Sequence, residues 1–225
     1  MSIRVLLADD HRLLRDGIAA LLQQAEDITL VGQAEDGHAL LRLAHSLRPD
    51  VVVTDISMPG LNGIEAVRRL RAESDLPVLC LSVHDEDRLV LAMIDAGAMG
   101  YLQKDCSYDE LVQAVRQVAA RRVYLSPALS GVMVRAWRER QTAPARGAFQ
   151  TLTPRERELV QLFSEGYTTN EIAERLHLSP KTVATHRENV LHKLQARGVA
   201  ELTRYALREG LSTLDAPLRG AAAPD

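Results

Sequence analysis

The chain has 225 residues, of which 46% are hydrophobic and 25% charged, the composition of an ordinary globular protein with one or two domains. Its apolar runs fall short of the roughly 18 residues that a membrane-spanning helix needs. Its N-terminus has acidic residues where a secretory signal has a small-residue cleavage site. We therefore expect a cytoplasmic protein without a membrane partner. The cysteines, Cys80 and Cys106, lack the spacing of a metal site or a disulfide framework.

The charge is distributed unevenly along the chain. Residues 1–124 contain 13 Lys and Arg against 19 Asp and Glu, whereas residues 125–225 contain 14 against 11. Within 178–208 there are six basic and two acidic residues. This asymmetry favours a polyanionic partner for the second half of the chain.

Strand-like and helix-like segments alternate in the first half. The strand-like segments include continuous apolar runs, which are typical of parallel strands covered on both faces. They span 3–9, 28–34, 51–55, 77–83 and 100–103. The helical patterns span 11–24, 38–47, 63–73, 86–96 and 108–121. Five such units predict an α/β domain, a flavodoxin-like (βα)5 doubly wound parallel sheet with strand order 2-1-3-4-5.

The pattern weakens after this domain. We assign 1–124 to the α/β domain and 125–150 to a linker, in which "SPALSGVMVRAWRER" has the pattern of an amphipathic helix. Residues 151–212 form the second domain, and we expect 213–225 to be a disordered tail.

The second domain is predicted to be all-α, with four short helices that include a helix-turn-helix. Thr153 and Thr168 are each followed three residues later by a glutamate, which is the pattern of a capping box. Ser179 precedes a proline and should cap the third helix. Gly166 and Gly198 lie where helices should end.

Polar residues follow several strands of the predicted sheet. Asp9 and Asp10 end the first strand and Asp55 ends the third, and these strands are neighbours in the order 2-1-3-4-5. Three clustered carboxylates favour a divalent cation with oxygen ligands, most plausibly Mg²⁺. Ser82 ends the fourth strand, and Lys104 follows the fifth. Together these groups suit the formation of an acyl phosphate on Asp55.

Four motifs carry a resemblance to a known family. "LLADDH", "VVVTDISMPGLNGIEAVRRLR", "LSVHD" and "AGAMGYLQKD" resemble the receiver domain of two-component response regulators over about residues 3–121. The resemblance implies that a sensor histidine kinase phosphorylates Asp55.

The same resemblance implies a magnesium site. Asp10 and Asp55 would bind the ion directly, Asp9 mainly through water, and Ser57 through its backbone carbonyl. Ser57 and His84 match positions that vary in the family and tune the loss of phosphate.

The resemblance also implies a coupled switch between Ser82 and Tyr101. On phosphorylation the Ser82 hydroxyl would turn toward the phosphoryl group and Tyr101 would move inward. The alternative is that Tyr101 is only a half-buried aromatic residue beside Gly100.

The third helix of the second domain has two distinct faces. At 100° per residue, Val183, Val190 and Leu194 share one face and should pack into the domain. The opposite face is small or polar, which suits a helix that enters the DNA major groove. Its members are Lys181, Ala184, Thr185, Glu188 and His192.

The second domain, with "EIAERL", "SPKTV" and "KL", resembles the LuxR-type helix-turn-helix of NarL/FixJ-class response regulators. The resemblance implies base contacts by Ala184, Thr185 and Glu188. We expect a second group of residues to contact DNA phosphates. These are Lys181, Thr182, His186, Arg187 and Lys193, with Thr168 and Asn170 as weaker candidates.

Two of these assignments have alternatives. Many relatives carry a basic or amide residue at the position of Glu188, which here is also four residues before His192 and suits a helix pair. His186 is alternatively a packing residue inside the domain.

The fourth helix carries Leu202, Tyr205 and Ala206, for which core packing is the plain interpretation. In relatives this helix also pairs two copies, which implies a homodimer on an inverted-repeat operator. RNA polymerase is a further candidate partner.

We therefore expect a DNA-binding transcriptional response regulator that is activated by phosphorylation of Asp55. It would not be an enzyme, beyond catalysing its own phosphotransfer and dephosphorylation. One alternative is a regulator that binds DNA independently of phosphorylation. Another is a phosphatase of the haloacid dehalogenase type, which needs a second aspartate where this chain has Ser57.

Overall fold

The described part of the chain contains six parallel strands in one sheet, with the order β2-β1-β3-β4-β5-β6. Their bounds are β1 Ile3–Ala8, β2 Ile28–Ala34, β3 Val51–Thr54, β4 Val78–Ser82, β5 Gly100–Gln103 and β6 Tyr124–Leu125. The order of the first five strands confirms the predicted flavodoxin-like sheet. Strand β6 was not predicted.

This computed structural model describes residues 2–83, 87–126, 129, 131–132 and 152–212. The chain divides into two compact units, Met1–Ala143 and Pro144–Asp225. His84, most of the predicted linker helix and the predicted tail lie outside the described residues. None of the helices within the described ranges has the length and apolar character needed to cross a membrane.

Helices cover both faces of the sheet. Their bounds are α1 Arg12–Gln23, α2 Gly37–Leu47, α3 Gly63–Glu73, α4 Asp87–Ala96 and α5 Tyr108–Ala119. One core packs under α2, α3 and α4, and the other under α1 and α5. Successive residues of β3 alternate between them, because Val52 belongs to the first core while Val51 and Val53 belong to the second. This is why the strand is a continuous run of valines.

Strand β6 extends the sheet beyond the predicted five strands. Tyr124 pairs with Gly100 of β5, and its backbone N–H donates to the Met99 carbonyl at 3.0 Å. Leu129 and Val132, in the predicted linker, are 2% and 4% exposed and belong to the core under α2, α3 and α4. The start of the predicted linker therefore packs as part of the α/β unit.

The second unit is helical, as predicted. Its helices are α6 Pro154–Ser164, α7 Thr169–Arg175, α8 Pro180–Leu194 and α9 Val199–Arg208. Both predicted capping boxes form, Thr153 with Glu156 and Thr168 with Glu171, and Ser179 caps α8. Helices α7 and α8 make the helix-turn-helix.

Of the two glycines predicted to end a helix, one does not do so. Gly166 follows α6 with a φ of 87°, a left-handed conformation that favours glycine. Gly198, with an extended φ of 174°, is instead the N-cap of α9. Helix α8 ends at Leu194, and its C-cap residue Gln195 has a left-handed φ of 54°.

The turn after β3 brings two stretches of backbone into close contact. The Gly63 N–H donates to the Ile56 carbonyl at 2.8 Å. A Cβ atom at Gly63 would lie 1.9 Å from the Asp55 carbonyl oxygen. Only glycine therefore allows α3 to start this close to the end of β3.

We predict that Gly63→Ala lowers the free energy of unfolding by at least about 2 kcal/mol, because the added methyl group must displace backbone. Gly17→Ala, in α1, is the control, since a Cβ there meets nothing within 4 Å. It should raise the free energy of unfolding by about 0.5–1 kcal/mol through helix propensity. Urea unfolding followed by circular dichroism measures both changes, and equal effects would contradict the packing argument.

Candidate functional site

Three carboxylates meet at the carboxyl end of the sheet. Asp9 and Asp10 follow β1, and Asp55 follows the neighbouring strand β3. Asp9 and Asp55 are 1% and 3% exposed. One ligand atom from each of these aspartates and one from His11 all lie within 4.8 Å of one another. The sequence prediction that the three aspartates share a pocket is consistent with this arrangement.

Lys104 supplies a positive charge to this pocket. Its Nζ lies 2.7 Å from Asp9 Oδ2 and 2.8 Å from Asp55 Oδ2. Burial opposes the charged ammonium, but Asp55 and Asp9 outweigh it, so the pKa of Lys104 lies above its ordinary value. The backbone N–H of Lys104 donates to the Ser82 carbonyl at 3.0 Å, which holds the lysine beside the end of β4.

Both carboxylate oxygens of Asp55 are held. Oδ2 accepts from Lys104, and Oδ1 accepts from the Ile56 backbone N–H at 2.7 Å. The Asp55 backbone N–H donates to the Ala8 carbonyl of β1 at 2.9 Å. These bonds fix the side chain in one orientation, with its carboxylate facing the other acidic residues.

Asp10 is the carboxylate of the cluster with the least compensation. Burial raises its pKa; His11 acts in the opposite direction, and Asp55 and Asp9 raise it further. Asp10 Oδ1 is buried and accepts no hydrogen bond from the described residues, although His11 Nδ1 lies 3.0 Å away. An oxygen-rich pocket with uncompensated negative charge fits a hard divalent cation.

The remaining predicted residues of this unit lie near the same edge of the sheet. Ser82 is the last residue of β4 and is completely buried. Tyr101 of β5 is also completely buried. The alternative interpretation of Tyr101, a half-buried aromatic residue beside Gly100, is therefore wrong about its burial. Ser57 is partly exposed and lies in the turn that follows Asp55.

Helix α8 has the two faces that its sequence predicts. Val183 and Val190 are 0% and 1% exposed, and Leu194 is partly buried. On the opposite face Ala184 is partly buried, and the rest of the face is exposed. The exposed residues are Lys181, Thr185, Glu188 and His192. The Thr185 hydroxyl donates to the Lys181 carbonyl at 3.0 Å within the helix.

The predicted phosphate contacts differ in their surroundings. Lys181 is exposed, whereas Thr182, His186 and Arg187 are partly buried. Lys193 already has a partner, because its Nζ donates to both Glu156 carboxylate oxygens at 2.8 Å.

The predicted dimerisation residues of α9 contribute to the core of their own unit. Leu202, Tyr205 and Ala206 are 0%, 7% and 0% exposed and pack with Val160 and Val190. This agrees with the core-packing interpretation. Dimerisation through α9 stays a prediction.

A receiver-like sheet with a held aspartate, together with a helix-turn-helix, defines a class of signal-responsive DNA-binding regulator. Residues 5–116 match the family model described as the response regulator receiver domain. Residues 150–206 match bacterial regulatory proteins of the luxR family. The chain belongs to the response-regulator family, with a receiver domain followed by a LuxR-type DNA-binding domain.

Relatives match nearly the whole chain. It is 38% identical to the response regulator GacA of Pseudomonas aeruginosa over 210 residues, 93% of this chain and 97% of GacA. The crystal structure of the response regulator ChrA of a haem-sensing two-component system matches with a TM-score of 0.53 and 35% sequence identity. The match covers 93% of this chain and 98% of the ChrA chain. The structure of RcsB from Salmonella enterica serovar Typhimurium, solved bound to a promoter in the presence of phosphomimetic BeF3⁻, matches with a TM-score of 0.59 and 25% sequence identity. The match covers 94% of this chain and 100% of the RcsB chain.

His11, Gly63 and the ion pair of Glu156 were not predicted from the sequence. His11 directly follows the two aspartates, a position that could have drawn attention to it. Gly63 and Glu156 carry no such signal, because their roles depend on backbone and side chains distant in sequence. Glu156 was predicted only as a capping residue, whereas it also binds Lys193.

Glu156 generates a prediction for acid pH. Burial opposes its ionisation, but hydrogen bonds from Lys193 and from the Thr153 N–H outweigh it and lower its pKa below the ordinary 4.5. Since the pKa is lower in the folded state, the carboxylate contributes stability that is complete above about pH 4.5 and is lost as the pH falls through the folded-state pKa.

Glu156→Gln should therefore lose less stability than the wild type as the pH is lowered. The free energy of unfolding in urea, measured as a function of pH, checks this. Glu174→Gln, at an exposed position of α7, is the control and should follow the wild-type curve. A Glu156→Gln curve parallel to that of the wild type would refute the assignment.

Proposed function

We propose that Asp55 is the phosphoacceptor through which a sensor histidine kinase controls DNA binding by α8. The observation that carries this proposal is the geometry of Asp55, which is buried with both carboxylate oxygens held by Lys104 and the Ile56 N–H. A nucleophile held in this way loses little orientational freedom when it reacts.

The proposed reaction is a phosphoryl transfer to a carboxylate oxygen of Asp55. The new P–O bond forms as the P–N bond to the kinase histidine breaks, and the electron pair of that bond returns to the imidazole. Negative charge develops on the phosphoryl oxygens. Lys104 is positioned to stabilise this charge, because its Nζ lies 2.8 Å from Asp55 Oδ2.

We assign Mg²⁺ as the cation of the pocket. Asp10 and Asp55 would bind it directly, with the Ser57 carbonyl, and Asp9 would act mainly through water. When bound, the ion neutralises carboxylate and phosphoryl charge. Support comes from the hydrogen-bond-free Asp10 Oδ1 and from the clustering of the three aspartates.

We further propose that Ser82 and Tyr101 report phosphorylation to the rest of the receiver. Ser82 lies at the end of β4, next to the β5 strand that carries Tyr101. Both side chains are completely buried, so a change at Ser82 is confined to a packed region and must displace its neighbours.

On the DNA side, we propose that Ala184, Thr185 and Glu188 contact bases and that Lys181, Thr182, His186 and Arg187 contact phosphates. A homodimer formed on phosphorylation would bind an inverted-repeat operator and act on RNA polymerase in the cytoplasm. Support for DNA as the partner comes from the luxR family match and from RcsB, whose structure was solved on a promoter.

We propose no further enzymatic activity beyond phosphotransfer to Asp55 and its dephosphorylation. A phosphatase of the haloacid dehalogenase type needs a carboxylate two residues after its nucleophile. Ser57 is at that position. Regulation independent of phosphorylation is a second candidate function, which the next experiment separates.

The test is incubation of the full-length protein with acetyl phosphate and Mg²⁺, followed by intact-mass measurement. We expect a mass increase of one phosphoryl group that requires Mg²⁺ and disappears when EDTA removes the ion. Asp55→Asn should remain unmodified because it lacks the nucleophilic carboxylate.

Asp16→Asn is the matched control, since Asp16 is an exposed aspartate of α1 and should be dispensable for phosphorylation. A wild type that gains no phosphoryl group would favour regulation independent of phosphorylation. Repeated turnover of a phosphomonoester would favour the phosphatase instead.

A further inference from the structure

An ion pair connects the first turn of α6 to the last turn of α8. Lys193 lies in the last turn of α8, and its Nζ is 2.8 Å from both Oε1 and Oε2 of Glu156. Glu156 lies in the first turn of α6 and is 5% exposed. The two residues are 37 positions apart in the sequence, so this contact is tertiary and not part of a helix.

The Glu156 carboxylate has a second function at the same place. Its Oε2 also accepts from the Thr153 N–H at 2.8 Å and so completes the cap of α6. The carboxylate therefore has fixed backbone and side-chain partners on two helices. A lysine bound to it is held in a defined position.

The side chain of Lys193 is 38% exposed, and its ammonium group reaches the buried carboxylate of Glu156. Lys193 is nine residues after Ala184 and eight after Thr185, which places it roughly 180° and 80° around the helix from these two residues predicted to contact bases. It is three residues after Val190, which is 1% exposed and packs in the same core as Val160 of α6. The ion pair thus lies beside the hydrophobic contact that joins α8 to α6.

We propose that Lys193 is a positioning residue that fixes the orientation of α8 through Glu156, and that it does not contact a DNA phosphate. This replaces its predicted role as a phosphate contact and rests on the proposed binding of DNA by α8. The hydrophobic contacts of α8 are non-directional. The paired hydrogen bonds from Lys193 to Glu156 add a directional constraint at the end of the helix.

The energetic cost of breaking the ion pair between Lys193 and Glu156 supports this assignment. A phosphate contact would require Lys193 to leave Glu156, which would leave a buried carboxylate without its cationic partner. Lys181, at the start of the same helix, is exposed and pays no such penalty. The two lysines therefore form a matched pair for an experiment.

The experiment measures the dissociation constant of the full-length protein for a random-sequence DNA duplex over a range of salt concentrations. Each phosphate contact contributes about 0.9 to the slope of log affinity against log salt. Lys181→Met should reduce the slope by about that amount. Lys193→Met should weaken binding several-fold at every salt concentration and leave the slope unchanged, and Lys193→Arg, which can still bind both Glu156 oxygens, should restore the affinity.

Circular dichroism at the assay temperature checks that each variant is folded. A reduced slope for Lys193→Met would make Lys193 a phosphate contact, and unchanged affinity would show that the ion pair does not orient α8. Either result overturns this inference alone. Absence of DNA binding by the wild type would instead overturn the proposed function, and this inference with it.

Discussion

The structure of the receiver depends on the ion pairs that Lys104 makes with Asp9 and Asp55. These carboxylates are almost completely buried, and without a cation they would repel each other. Removing one partner from a buried ion pair typically costs about 3–5 kcal/mol. One lysine still leaves the third carboxylate, Asp10, to be compensated in part by His11, whose Nδ1 lies 3.0 Å from Asp10 Oδ1. That remaining charge makes the pocket suitable for a divalent cation, and with it for a phosphoryl group.

Much of this arrangement could be predicted from the sequence, because it follows from periodicity and topology. The valines of β3 alternate between two cores, so an apolar run marks a central strand that must end at the edge of the sheet. Parallel strands with the order 2-1-3-4-5 bring the ends of the first and third strands together, and with them Asp9 and Asp55. The capping boxes of α6 and α7 were predictable for a similar reason, since each depends on residues three positions apart.

What the sequence could not predict depends on contacts between distant residues. Gly63 must be glycine because of the Asp55 carbonyl, and no local pattern indicates this. Strand β6 is only two residues long and exists because the edge of β5 is available to pair with it. Lys193 matched a phosphate contact by residue type, yet its ammonium group binds Glu156 of another helix. Residue type and periodicity indicate a face, whereas the partner on that face is set by tertiary packing.

We propose that a chemical change at Asp55 controls DNA binding by α8 in a separate unit of the chain. The most direct test is genome-wide mapping of the DNA bound by the wild type and by Asp55→Asn, expressed at equal levels. We expect the wild type to occupy a discrete set of inverted-repeat sites and Asp55→Asn to lose most of this occupancy. Equal occupancy of the same sites by both proteins would contradict it.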